Sequence, residues 1–85
     1  MSLDDIRQAR KKTIGTNQTL KVLKQSAEHI VRLYVARDAE VRVIDPVVQL
    51  ATKQRVPIEW VDTMRTLGKA CGIEVGAATA SIISE

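Results

Sequence analysis

Aromatic side chains are nearly missing from this chain. It has no Phe, and Tyr34 and Trp60 stand alone. A core must therefore be built from small and β-branched aliphatic residues. Cysteine is equally scarce. Cys71 is single, so no disulfide can form within the chain. A reduced, cytoplasmic setting is the expectation. The opening Met1-Ser2-Leu3-Asp4-Asp5 has no basic stretch followed by an apolar run, which argues against a signal peptide. No apolar run approaches the roughly 20 residues of a membrane span, so no membrane partner is expected. One His and one Cys cannot furnish a standard zinc site. Phosphate-binding Gly-x-x-x-x-Gly-Lys and dinucleotide fingerprints are missing too. Neither a metal nor a cofactor is expected.

A different absence is local. Residues 6–27 hold no acid, yet they carry Arg7, Arg10, Lys11, Lys12, Lys21 and Lys24. That segment is +6, whereas residues 28–85 carry 7 basic and 8 acidic side chains. Charge gathered at one end of a chain points to a polyanion or an acidic surface as partner. A solvated helix face explains it equally well.

What is present suits a small globular unit. The 85 residues fit one domain, 1–85, and an apolar share of 45% is enough for a core rather than a disordered tail. Ser2 followed by Asp5 resembles a capped helix start. Leu3, Ile6 and Ala9 then recur at helical spacing, which predicts a first helix to about Lys12. Thr13-Ile14-Gly15 reads as a short extended piece ending in a turn. A second helix is expected from an N-cap at Thr16 or Asn17, with Leu20, Leu23 and Ala27 on its apolar side. Ile30–Ala36 is the strongest strand signal, apolar on both faces as a covered central strand should be. Asp45-Pro46 reads as N-cap and first residue of a third helix, whose buried stripe is Val47, Leu50 and Ala51. Ala39–Ile44 is then left as a packed turn. Pro57–Val61 reads as a strand. Asp62 or Thr63 caps a fourth helix through Met64, Leu67, Ala70 and Cys71, ended by Gly72. Ala77–Ile83 is the last strand. The alternation predicts an α/β fold, a three-layer α/β/α sandwich around a small four-stranded mixed sheet.

No catalytic constellation emerges. His29 falls where a helix meets a strand and has no partner in view. Cys71 sits on an apolar helix stripe and reads as packing. Asp4 and Asp5 offset a helix dipole. An enzyme is not expected. Two glycine-bearing segments remain, Gly15–Lys21 and Leu67–Ala78. Both could be ordinary turns, since an α/β sandwich needs them. The functional reading has a mechanism, however. A helix start offers free N–H groups to anionic oxygen. Asn17, Lys21 and Lys24 lie on one side of that helix by its periodicity, with Gln18 at their border. Amides and lysines of this kind read base edges. An undistorted A-form RNA hides its deep groove from side chains, so the target would be bent RNA. Ile73 and Val75 flank Glu74 in a glycine-bounded loop, an apolar tip suited to an unstacked base.

These two segments resemble a known family. Gly-Thr-Asn-Gln-Thr-Leu-Lys is similar to the Gly-x-Asn-Glu-x-x-Lys element of bacterial YbxF-type proteins, relatives of archaeal ribosomal protein L7Ae and, more distantly, L30e. Leu-Gly-Lys-Ala-Cys-Gly-Ile-Glu-Val-Gly-Ala-Ala resembles the C-terminal signature of the same family. The likeness spans essentially the whole chain and implies an α/β/α sandwich that binds kink-turn RNA, a duplex bent at a short bulge beside tandem sheared G·A pairs. By position, it implies that Asn17 and Lys21 contact the sheared guanines. Gly15 and Thr16 would let the backbone come close, and Ile73, Glu74 and Val75 would cover the bulge. Gln18 stands where the family usually has Glu, and Gly76 where archaeal members often have Pro. A ribosome-associated monomer is the corresponding expectation. The alternative is a protein-interaction module, a subunit of a ribonucleoprotein complex docking through its basic N-terminal half.

Overall fold

The computed structural model describes residues 3–85, so the Ser2 cap lies outside the described residues. The elements run α1 (Asp4–Gln8), β1 (Lys12–Ile14), α2 (Thr16–Ser26), a 3₁₀ turn (Ala27–His29), β2 (Ile30–Ala36), α3 (Val41–Lys53), β3 (Ile58–Val61), α4 (Met64–Ala70) and β4 (Thr79–Ile83). The strands form one four-stranded sheet in the order β1-β4-β2-β3. β4 is antiparallel to both neighbours, and β2 and β3 are parallel. That last pairing requires a crossover, which α3 supplies.

The sheet is covered on both faces, as the α/β/α expectation required. On one side α2 and α3 place Leu23, Ile44, Val47 and Ala51 against Leu33 and Val35. On the other, α1 and α4 place Ile6, Leu67 and Ala70 against Tyr34, Val61 and Ala80. Leu23 is fully buried, and burial of such a side chain contributes about 1.5–3 kcal/mol. Tyr34 is the largest fully buried side chain. Its cross-strand partner on β4 is Ala80, so the small residues of the last strand make room for the one large ring.

Four boundaries differ from the sequence reading. The first helix ends at Gln8, not Lys12, because Ala9 turns extended (φ −63°, ψ 133°) and Lys12 pairs with Ile82 in the sheet. Lys12 Nζ still serves that helix by donating to Ile6 O at 3.0 Å. The second helix is capped by Gly15 instead of Thr16 or Asn17. The third begins at Val41, with Glu40 as N-cap, and Pro46 lies inside it. Burial decides this: Ile44 is only 6% exposed, and helical winding turns it inward; Ala39, just ahead of the N-cap, is buried as well. Pro46 and Arg42 are exposed, so the Arg42 carbonyl that Pro46 leaves without an N–H lies on the solvent side. The last strand starts at Thr79 because Ala77 N donates to Met64 O rather than to a strand.

Candidate nucleic-acid interface

Three strands end, and β4 begins, at one end of the sheet. Every connection there is fixed by backbone or capping bonds. Gly15 N donates to Thr79 O at 2.8 Å, which joins the start of α2 to the start of β4. Ala36 N donates to Ala78 O, and Arg37 N to Val61 O. Asp38 Oδ1 accepts from Met64 N at 2.8 Å and so holds the turn after β2 to the start of α4. Thr63 Oγ1 caps the same helix by accepting from Thr66 N.

Gly15 has φ 95° and ψ 159°, a backbone region open in practice only to glycine. That turn sets the start of α2, whose Thr19 N donates back to Gly15 O at 3.1 Å. Asn17, Lys21 and Lys24 are exposed, and with Leu20 and Gln25 they line one groove of about 290 Å³. The predicted stripe is therefore a single surface, with Leu20 as apolar floor and Gln25 as a further amide that periodicity did not single out. Gln18 is not part of that groove. Its Oε1 accepts from Ile14 N at 3.3 Å, a back-reaching cap one residue before the N-cap. Thr16 is half-buried beside it.

The second segment leaves α4 through a Schellman turn. Gly72 (φ 82°) donates to Lys69 O, and Ile73 N donates to Gly68 O at 3.1 Å. Ile73 is half-buried, Glu74 is exposed, and Val75 keeps 71% of its surface in solvent. The loop presses so closely on α4 that a Cβ at Gly68 would run into Val75 O and lie 3.0 Å from Gly76 Cα. A residue with no side chain in the helix thus sets the path of the exposed tip. This loop leads into β4 at the sheet end where α2 starts. The two segments, about 50 residues apart in sequence, meet the solvent from the same end of the fold.

The basic segment divides once folded. Arg7 pairs with Asp4, Arg10 with Glu85, and Lys12 caps α1. Among the described residues, Lys21 and Lys24 have no ion pair. Asp5 pairs with Arg32 at 2.8 Å, on the far face of the sheet. There burial pushes the Tyr34 hydroxyl up while a hydrogen bond from Arg32 opposes it. Cys71 is buried, and burial pushes its thiol up too. His29 is exposed, and its carbonyl accepts from Ser84 N. Among the described residues no grouping of His, Cys, Asp and Glu is fit to hold a metal, and no helix is long and apolar enough to cross a membrane.

The ribosomal protein L7Ae/L30e/S12e/Gadd45 family matches this chain over residues 2–85. The chain belongs to that family. Among L7Ae-family relatives, an RNA-binding protein of Halalkalibacterium halodurans is 48% identical over 82 residues, covering 96% of this chain and 98% of its own. The RNA-binding protein YbxF of Geobacillus stearothermophilus is 42% identical over 83 residues, 98% of this chain and 99% of its own. The solved 15.5kD RNA binding protein of Giardia lamblia superposes with a TM-score of 0.84 at 22% identity, covering 98% of this chain and 71% of that one. At that identity it speaks for the fold alone. For this L7Ae-family member, sequence patterns located both exposed segments. They missed Asp38, whose capping role needs two turns brought together, and the hydroxyls of Thr13, Thr19 and Ser81, which lie beneath α2.

Proposed function

We propose that this chain is a non-catalytic RNA-binding protein that recognises a kink-turn through the start of α2 and the Ile73–Val75 loop. The observation that carries the reading is the groove formed by Asn17, Lys21 and Lys24 beside the start of α2. Backbone N–H groups there suit phosphate. Asn17 and Lys21 offer donors suited to guanine O6 and N7. Gly15 and Thr16 let the RNA backbone approach, and Gln18 presents its amide nitrogen at the edge. Glu74, between Ile73 and Val75, forms a tip that covers bulged nucleotides. The relatives named as RNA-binding support the ligand class. The same reading makes 1–85 one RNA-binding domain, a cytoplasmic monomer whose target is ribosomal or another structured RNA.

A gel-shift comparison tests it. A kinked RNA should bind far more tightly than a straight duplex with the G·A pairs replaced. Asn17→Ala and Lys21→Ala should each cost about 1–3 kcal/mol against the kinked RNA only. Equal affinity for the two RNAs would reject the proposal.

A further inference from the structure

Beneath the first turns of α2, three buried hydroxyls stand in line. Ser81 Oγ on β4 lies 2.6 Å from Thr13 Oγ1 on β1, its cross-strand partner. Thr13 Oγ1 lies 2.9 Å from Thr19 Oγ1 on α2. Thr19 Oγ1 donates to Gly15 O at 2.8 Å. Thr19 and Ser81 are fully buried and Thr13 nearly so.

The direction of this chain follows from proton counting. A hydroxyl has one proton to give. The Gly15 carbonyl can only accept, so the Thr19 proton is committed to it. Thr19 Oγ1 must then accept from Thr13, and Thr13 Oγ1 must accept from Ser81. The order is Ser81 to Thr13 to Thr19 to Gly15, with every proton used. A head-to-tail series in a dry interior polarises along its length, so each link strengthens the next. Its endpoint is a special residue. Gly15 adopts φ 95°, its N–H is held by Thr79 O, and its carbonyl also accepts from Thr19 N. Both polar groups of the N-cap are thus anchored to the sheet or to the first turn of α2. The N-cap itself offers no side chain to do that work.

We propose that the Ser81–Thr13–Thr19 hydroxyl chain positions the α2 start for binding, so that Thr13, Thr19 and Ser81 are positioning residues for Asn17 and Lys21. This rests on the RNA-binding reading of α2. None of the three hydroxyls touches RNA; they act by fixing the plane of the Gly15 carbonyl and hence the direction of the first turn.

Thr79 supplies an internal control. It lies two residues from Ser81 on the same face of β4. It is fully buried, and among the described residues its Oγ1 has no hydrogen-bond partner. Replacing Thr79 by Val removes a hydroxyl from the same layer without breaking the chain.

The test compares Thr19→Val, Thr19→Ser, Ser81→Ala and Thr79→Val in the full-length protein. Three quantities are measured: affinity for kinked and straight RNA, the urea midpoint, and amide hydrogen exchange at Gly15 and Thr19, whose N–H groups are hydrogen-bonded, without RNA. Thr19→Val keeps the β-branch and loses the hydroxyl. It should speed exchange in the first turn and weaken kinked-RNA binding about five- to tenfold, the scale of one lost hydrogen bond. Thr19→Ser keeps the hydroxyl and loses the methyl. It should lower the urea midpoint yet bind within about twofold of the wild type, so that affinity follows the hydroxyl and not stability. Ser81→Ala, at the far end and with the smallest change in volume, should repeat the Thr19→Val pattern if that variant folds poorly. Thr79→Val should bind like the wild type. Equal affinities for Thr19→Val and Thr19→Ser, with unchanged exchange, would overturn the proposal. A wild type that binds kinked and straight RNA alike would reject the RNA reading instead. First-turn exchange would then still decide whether the chain holds the helix start.

Discussion

Replacing Gly15 by Ala isolates one conformational term. The glycine sits at φ 95°, ψ 159°, and a Cβ built there meets nothing within 4 Å. Steric overlap with the rest of the fold therefore adds nothing. The cost is the backbone energy of an L-residue in a region that glycine alone enters freely, about 1–3 kcal/mol. A chain of 85 residues is stable by roughly 4–13 kcal/mol, so Gly15→Ala should remain folded. Its melting temperature should fall by on the order of 10 °C, given about 4–8 °C per kcal/mol at this size. A synthetic chain with D-alanine at Gly15 reverses the sign. The mirrored dihedrals fall beside the extended region open to ordinary residues, and the unfolded chain loses freedom. That chain should match or exceed the wild type by about 0.4–1 kcal/mol. The fluorescence of Trp60, the single tryptophan, and far-ultraviolet dichroism report the transitions independently. If the L- and D-alanine chains melted together, the Gly15 backbone would not be what sets the helix start.

Other expectations are as direct. Gly68→Ala drives a Cβ into the Val75 carbonyl, backbone that cannot rotate away. It should cost about 1–3 kcal/mol and weaken kinked-RNA binding with chemical shifts moving at Ile73–Gly76; an unchanged urea midpoint would contradict the close approach. Lys24→Ala should reduce the slope of log affinity against log salt by about 0.7–0.9 if it neutralises one phosphate. Arg10→Ala, whose guanidinium faces Glu85, should leave that slope unchanged. At high pH the fold should weaken. Burial raises Cys71 from its ordinary 9.0 and Tyr34 from its ordinary 10.0, so the unfolded chain ionises first. Stability is then intact below about pH 9 and declines as pH rises through and beyond that value. Urea midpoints across this range should show the decline beginning later in Cys71→Ala.

The parts of the fold legible in the sequence were those set by local periodicity. Ile30–Ala36 announces a central strand because both its faces meet helices. Thr63 and Gly72 bracket α4 with capping chemistry that is visible residue by residue. The helix starting at Val41 was hidden because its first turn forms to bury Ile44, with Ala39 buried just ahead of it, a tertiary gain that outweighs the local signal of Asp45-Pro46. Gly15 read as a turn residue although it is the N-cap itself; its positive φ is a demand of the sheet through Thr79 O. In the candidate site, 3.6-residue spacing was enough to align Asn17, Lys21 and Lys24. The hydroxyl chain was not legible, since Thr13, Thr19 and Ser81 come together only when β1, β4 and α2 are assembled.

Folding also changes the meaning of the cluster of six cations. Arg7, Arg10 and Lys12 face Asp4, Glu85 and the end of α1, so half of that charge already has a partner within the fold. What remains on α2 is Lys21 and Lys24, next to amides. Gln18 sharpens the point. Its Oε1 is used by Ile14 N, and its other terminal atom is an NH₂, a donor. A carboxylate in its place could cap the same N–H but would face a ligand only as an acceptor. Outside the groove Gln18 thus carries a donor, as Lys21 does within it, while Asn17 keeps both options. A ligand fitted to this chain should present acceptors beside Gln18, as phosphate oxygens and guanine O6 and N7 do. Gln18→Glu should retain the cap and the fold. It should lose affinity for such a ligand, and the loss should be larger at low salt, where the added negative charge is screened least.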